Sequence, residues 1–281
     1  TCHAAIVSRE MGKPSLVGTE EEIEALKNDE IQEITLDVRG MKVYKGILPL
    51  EETGEDIDVR EILNNPTDTV VGLNISMPDE AKRLHALAEL GPKFAVPLCR
   101  IEFLLEKKIK AHVRALVAFD KGEIAPDSDL YREIAEMIAG YESAEEFFIG
   151  GLAEGIASIA GSFPNSPVTV RTTDFKTNEY ANLIGGKEYE SVGNNPMMGW
   201  RGLVRFLSPE NREAFKWELR AIKRARDMGY KNIKIMFPMV RDPMELTGSP
   251  DEMEREYGEG FKSAYYIMKE VGLERGQDGL K

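Results

Sequence analysis

Cysteine and histidine are scarce in this chain, and positive charge is in the minority. Only Cys2 and Cys99 occur in 281 residues, which leaves no disulfide framework, and neither stands in a CxxC pair. Both read as reduced thiols of a cytoplasmic protein. The three histidines, His3, His85 and His112, lie far apart in sequence, which argues against a histidine-built zinc site, and no residue is assigned to a metal. A formal net charge of −13, from 49 acidic against 36 basic residues, argues against non-specific binding to nucleic acid. No run spans a membrane: the most apolar stretch, EFFIGGLAEGIASIAGSF, is interrupted by Glu154 and four glycines. That stretch has neither GxGxxG nor GxxxxGK[ST] spacing, so it reads as a small-residue packing helix and not as a nucleotide loop. The opening residues show no secretory leader, and no short-period repeat is visible.

What the chain does have is a 42% hydrophobic share, ample for a core. Residues 1–64 read as a small α/β unit. It runs from a helix His3 to Met11, closed by Gly12 and Pro14, into an apolar strand, Leu16-Val17-Gly18. A second helix, GTEEEIEALKNDE, takes Thr19 as its cap, and EITLDVRGMKVYKGIL reads as a hairpin about Arg39-Gly40. The turn-rich NNPTD marks the boundary, and residues 65–281 then alternate strands with helices.

DTVVGLNIS, KFAVPLCRIEFLL, SPVTVRTTDF and IKIMFPMV are the strand segments. MPDEAKRLHALAELG is predicted as one amphipathic helix with Ser76 or Asp79 as cap and Gly91 as stop. A mainly helical insertion occupies about 104–160, and Ser208-Pro209 is predicted to open a long helix that Gly229 ends. This is the βαβ grammar of a parallel sheet, with about four strand–helix units, half the number a closed eight-stranded barrel needs. An open sheet and half a barrel both fit. The second is preferred, because the last helix, EGFKSAYYIMKEVG, is followed by no strand. A motif already under way at Thr1, without an initiator Met, suggests an incomplete chain.

The chemistry concentrates in a few places. His3 opens its predicted helix, where free N–H groups and the helix dipole favour negative charge. An imidazole there is poorly placed as a cation and well placed to carry a phosphoryl group, with Thr1 in reach of the ring or the phosphate. The acid excess lies in runs such as EEEIEALKNDEIQE, which read as solvated faces, so any anion site must be a local arginine cluster. Arg100 follows the strand FAVPLC, Arg171 ends VTV, and Arg201 lies in the loop NPMMGWRG. At the carboxyl ends of successive strands they would converge on one face and grip phosphate or carboxylate through paired donors. The competing account makes each a structural ion pair.

TCHAAIVSREMGKPSLVGT resembles the phosphohistidine signature of the phosphoenolpyruvate-utilising enzymes. VTVRTTDFKTNEYANLIGG and NPMMGWRGLVRF resemble barrel segments of the family's phosphoenolpyruvate synthase branch. PLCRIEFLL and IKIMFPMVRDP are similar to further strands of that barrel, and the matches run in family order from Thr1 to about Pro243. The resemblance implies the end of a swivelling phosphohistidine domain followed by a (β/α)8 TIM-type barrel that stops after about four strands. It implies His3 as the residue that accepts and carries the phosphoryl group, and Arg100, Arg171 and Arg201 as binders of phosphoenolpyruvate. Asp174, Glu179 and Asn195 match motif positions and are held, with Thr1 and Trp200, as loop-shaping residues one step back from the substrate. The family reaction turns ATP, pyruvate and water into AMP, phosphoenolpyruvate and phosphate. Magnesium is implied, with its ligands and the family's acid cysteine beyond Lys281, and ATP would bind through a domain absent here.

Two functions from different classes follow. One is a piece of phosphotransfer enzyme, inactive alone, with pyruvate and phosphoenolpyruvate as partners. The other is a non-catalytic assembly or interaction fragment. A half barrel also leaves an open strand edge, so a homo-oligomer or association through that edge is expected. His85 and His112 read as helix-face residues, and Trp200, Met197 and Met198 as loop or pocket packing.

Overall fold

The computed structural model describes residues 8, 13–19, 24, 33–38, 40–49, 59–65, 67–190 and 199–273. The two helices predicted before residue 32 fall almost wholly outside these, as do Cys2 and Arg39. The chain divides into two compact units, Thr1–Asp58 and Val59–Lys281.

In the first unit, β1 (Ile34–Asp37) pairs antiparallel with β2 (Lys42–Lys45), Asp37 opposite Lys42. The Asp37 carboxylate accepts the Gly40 N–H at 2.7 Å and closes the turn. Thr35 Oγ1 donates to the Gly46 carbonyl at 2.7 Å and accepts the Leu48 N–H at 2.9 Å, which binds the chain leaving the hairpin back onto it.

The second unit opens with α1 (Val59–Asn64) and is built on a four-stranded parallel sheet in the order β3 (Val71–Ile75), β4 (Phe94–Arg100), β5 (Val168–Arg171), β6 (Ile233–Met236). Strand neighbours in space are neighbours in sequence, as the alternating strand–helix pattern predicts. The period-2 pattern sorts the side chains. Phe94, Val96, Cys99, Val168, Val170 and Ile233 are fully buried, while Pro97, Lys234 and Met236 are exposed. Burial pushes the Cys99 thiol up to about 12.

Between β3 and β4 the sequence predicts one helix, and the structure has two pieces. The first is α2 (Pro78–Arg83), capped by Met77 with no side-chain bond, so neither Ser76 nor Asp79 is the cap. Pro78 explains the start: its fixed φ suits the first helical turn, and its missing N–H needs no partner there. A 3₁₀ segment, His85–Lys93, follows, kinked at Gly91 (φ 56°) ahead of Pro92. His85 is exposed at the start of this 3₁₀ segment, with its Nδ1 2.8 Å from the Lys82 carbonyl.

After β4 come α3 (Glu102–Leu104), a π-helical turn Leu105–Ile109, α4 (Val113–Asp120), α5 (Asp129–Met137) and α6 (Ala144–Gly161). Ser143 caps α6, and Asp120 accepts the Ala144 and Glu145 N–H groups at 2.9 and 2.8 Å, an acid at a helix N-terminus. The glycines of α6 let it lie close: a Cβ on Gly155 would come within 2.8 Å of Leu104 Cδ1.

After β5 follow α7 (Thr177–Ala181), α8 (Gly186–Tyr189), α9 (Leu203–Leu207) and α10 (Arg212–Asp227). α10 starts after Asn211, three residues later than Ser208-Pro209 predicts. It packs along α6, with Arg224 Nη1 2.6 Å from Glu146 Oε1 and Arg220 paired with Glu145. Three helices follow β6: α11 (Pro243–Thr247), α12 (Pro250–Tyr257) and α13 (Ala264–Glu270). They close a second small core with α9 around Phe206 and Phe215, whose rings stack at 4.9 Å. Among the described residues no helix is long and apolar enough to cross a membrane.

Candidate functional site

Arg100 and Arg171 are the last residues of β4 and β5 and are Cα partners in the parallel ladder. One residue earlier, Cys99 and Val170 are also partners and are wholly buried. Successive side chains alternate across a sheet, so the two arginines leave by the opposite face. The Arg100 guanidinium lies 5.4 Å from the centre of the Phe103 ring.

Behind Arg171 stand two acids. Its Nη2 donates to Glu102 Oε1 at 2.6 Å, and its Nη1 is 3.2 Å from Asp174 Oδ2. Asp174 in turn receives Arg201 through two donors, Nε to Oδ1 at 2.9 Å and Nη2 to Oδ2 at 2.7 Å. This paired grip fixes a guanidinium plane as well as its charge. Glu102 Oε1 also accepts the Asp174 N–H at 2.8 Å, so Glu102, Arg171, Asp174 and Arg201 form one continuous chain. The arginine side chains keep 21% and 22% of their surface while the acids keep 8% and 6%, which places the cations outermost. Hydrogen bonding to Asp174 strengthens the hold of Arg201 on its proton. The structure thus brings Arg171 and Arg201 together through Asp174, with Arg100 beside Arg171 in the sheet.

The backbone around Arg201 is tightly specified. Gly202 takes φ 85°, and a Cβ there would come within 2.7 Å of Met239 Cβ. The Leu203 N–H donates to the Pro238 carbonyl at 2.9 Å, tying the loop to the exit of β6. On the other side, the Trp200 backbone N–H donates to Thr177 Oγ1 at 3.0 Å, and the residue is 41% exposed. Glu179 shapes the start of α7, its carboxylate accepting the Lys176 N–H at 2.7 Å. His3, Thr1 and Asn195 lie outside the described residues, as do Met197 and Met198.

Residues not singled out as candidates complete the surroundings. Glu102 is the acid inside the quoted RIEF. Glu218 is buried on α10, its Oε2 accepting the Thr173 N–H at 3.0 Å between Arg171 and Asp174. A sequence signal for it exists: Glu218 falls four residues after Ala214 and four before Ile222, on the buried stripe of an amphipathic helix. His112, read as a helix-face residue, is instead the buried N-cap of α4, its Nδ1 accepting the Arg114 N–H at 3.1 Å. Glu102 Oε2, Arg171 Nε, Thr172 Oγ1, Thr173 Oγ1 and Glu218 Oε1 are buried without a hydrogen-bond partner among the described residues. Interiors rarely leave such atoms idle, and their gathering at the carboxyl end of one sheet marks it as more than packing.

Burial pushes the Glu218 carboxyl up to about 7, against its bond from the Thr173 N–H. Below about pH 4.5 the native and unfolded carboxyls both hold their proton. As pH rises towards 7 the unfolded one ionises first, so stability falls across that window by ~3 kcal/mol and then levels off. Glu218→Gln is expected to flatten this fall, read as the midpoint of urea unfolding against pH. A variant that follows the parent curve from pH 4.5 to 7 refutes the assignment.

Among the described residues no group of three or more His, Cys, Asp or Glu side chains could hold a metal ion, and Glu102 and Asp174 are both engaged by arginines. The described residues therefore do not fit the implied magnesium, and no step below is routed through it.

Residues 51–273 match the family profile described as PEP-utilising enzyme, PEP-binding domain, and residues 1–40 match that of the PEP-utilising enzyme, mobile domain. The chain is 37% identical over 282 residues to the phosphoenolpyruvate synthase of Escherichia coli strain K12, covering 100% of this chain and 32% of that protein. It is 38% identical over 286 residues to that of Neisseria meningitidis serogroup B, covering 100% and 32%. With the phosphoenolpyruvate synthase of Aeropyrum pernix it shares 36% identity over 290 residues, covering 99% and 30%. The chain thus spans about a third of the length of these curated relatives. Matched across its parallel sheet and arginine-lined rim alike, the chain belongs to the PEP-utilising enzyme family.

Proposed function

We propose that the chain carries the phosphohistidine and the opening half of the substrate cradle of a phosphotransferase that makes phosphoenolpyruvate from pyruvate, ATP and water. The observation that carries this reading is the chain Glu102–Arg171–Asp174–Arg201, at the carboxyl end of a sheet whose relatives are phosphoenolpyruvate synthases. Residues 1–64 form the end of the carrier domain, with His3 as the acceptor and Thr1 beside it. Residues 65–281 form the first half of the barrel. ATP is bound by a part of the enzyme outside this sequence, and β6 offers an edge for association with further strands.

The chemistry follows from the charges. Pyruvate gives a methyl proton to a base outside this sequence, the role the family resemblance gives to a cysteine, and becomes an enolate, whose oxygen attacks the phosphorus held on His3. The P–N bond breaks, the P–O bond forms, and the electron pair returns to the imidazole. Negative charge develops on the enolate oxygen and the transferred group beside a carboxylate already ionised, and Arg100, Arg171 and Arg201 meet these anions with donors fixed in advance. Asp174 and Glu102 hold two of those guanidiniums in place, so they need little reorganisation when the anion arrives. Asn195, Trp200 and Glu179 shape the loops that carry them.

Phosphoenolpyruvate formation that requires pyruvate and ATP together, in the full polypeptide bearing this sequence, is the expected result of a coupled assay. Absence of the product, or its appearance without one of the two reactants, overturns the proposal.

A further inference from the structure

Arg205 sits on α9 with 2% of its surface exposed. A buried guanidinium is tolerated only when its charge is met, and here both terminal nitrogens donate to specific partners. Nη1 donates to Glu190 Oε2 at 3.0 Å and to the Trp200 carbonyl at 3.1 Å, and Nη2 donates to Glu190 Oε1. The guanidinium plane lies 4.2 Å from the centre of the Tyr180 ring and 5.5 Å from that of Trp200. Burial opposes the Arg205 charge, and the bond to Glu190 together with the negative field of Glu190, Tyr180 and Glu210 outweighs it, so the side chain stays charged.

Glu190 is held from a second direction. Its Oε1 lies 2.9 Å from His112 Nε2. Since His112 Nδ1 accepts the Arg114 N–H, the proton of a neutral ring sits on Nε2 and is donated to Glu190. Burial lowers the histidine's proton affinity further than the carboxylate raises it, which keeps that neutral form. Tyr180 and Tyr189 flank the ring at 5.2 and 5.8 Å.

The position of this network in the chain gives it meaning. Glu190 and Trp200 bracket the segment that contains Asn195, and one guanidinium fastens both of them. The Trp200 carbonyl belongs to the peptide that leads directly into Arg201, whose own side chain is clamped on Asp174. Arg205 is buried and paired with Glu190, so it is not itself a ligand for an anion at the sheet rim. A buried ion pair of this kind adds little net stability over an apolar filling of the same shape. Its directional bonds do what an apolar filling cannot, which is to set the orientation of one chosen peptide.

We propose that Arg205, with Glu190 and His112, is a positioning residue that presents Arg201 to the substrate. This rests on the proposed role of Arg201 as a phosphoenolpyruvate ligand. The test is a double-mutant cycle with Arg201→Met and Arg205→Met in the full polypeptide, reading kcat and KM for pyruvate alongside the thermal midpoint. Arg205→Met alone is expected to lower kcat/KM by about tenfold to a hundredfold, the scale of a small misplacement of a binding group. The double variant is expected to match Arg201→Met alone, because misplacing a missing side chain has no further effect. Arg205→Lys, which keeps the charge and loses the fork, is expected to fall between. Should Arg205→Met fail to fold, Glu190→Gln takes its place in the cycle. Additive losses, with Arg201→Met severely impaired, overturn the positioning role and leave the proposed function standing. An Arg201→Met enzyme close to parental activity overturns the ligand role of Arg201 and this inference with it.

Discussion

Arg171→Lys, in the polypeptide bearing this sequence, is expected to lower kcat for phosphoenolpyruvate formation by on the order of 10²–10³-fold, the usual loss when one fixed donor to a developing oxyanion is removed. Lysine keeps the charge, so long-range attraction of the anion survives. What it loses is the planar fork that spans Glu102 Oε1 and Asp174 Oδ2 at 2.6 and 3.2 Å. A single ammonium cannot satisfy both acids and still offer a directed donor outward. Asp174 then loses part of what fixes it, and through Asp174 so does Arg201. The loss should therefore appear in kcat more than in KM, while thermal unfolding stays close to that of the parent. Activity within threefold of the parent would sink the cradle assignment, and a matched loss of structure would reassign Arg171 to stability.

Replacement of His3 with alanine is expected to have the larger effect, since no rate constant remains where the carrier is gone. With phosphoenolpyruvate labelled in its phosphoryl group as donor, the step runs backwards. The P–O bond breaks, a P–N bond forms on the ring, and the enolate takes up a proton to leave as pyruvate. A phosphoramidate is labile in acid and stable in base, which separates it from a phosphoserine or phosphothreonine at Thr1. His3→Ala should abolish the acid-labile label altogether, whereas Arg171→Lys should only slow its appearance. Label that persists in the His3→Ala protein moves the carrier elsewhere. This pair of measurements separates the two halves of the proposal, because carrier and cradle fail in different ways.

The frame of the molecule is legible where apolar runs have clear ends. FAVPLC and VTV each stop at an arginine, and the strands β4 and β5 stop there too. Alternation and strand–helix order suffice to place Arg100 beside Arg171. Local chemistry is read less well when two residues compete for one job. Ser76 and Asp79 are both good caps on paper, yet Pro78 sets the start of α2 and leaves Met77 in the cap position. The network under Arg201 is hidden for a different reason: Glu190 and Arg205 are fifteen residues apart, and no periodicity links an acid at the end of a short helix to a base inside another. Asp174 stands in a recognised motif, but its grip on two arginines at once comes from tertiary placement, which no spacing rule expresses. Glu218 marks the middle ground, since an acid on an apolar helical stripe is visible in the sequence and only the structure supplies its partner, the Thr173 N–H.

Cys99 has a practical consequence. Its side chain has no exposed surface, and a thiol held near 12 supplies almost no thiolate at neutral pH. An alkylating reagent applied to the native protein is thus refused by the sheet on two independent counts. Any adduct formed without unfolding therefore falls elsewhere than Cys99, and a reagent that reaches it reports that the parallel sheet has opened. Thiol labelling at Cys99 is in this way a clock for the loss of the β4–β5 pairing on which Arg100 and Arg171 stand.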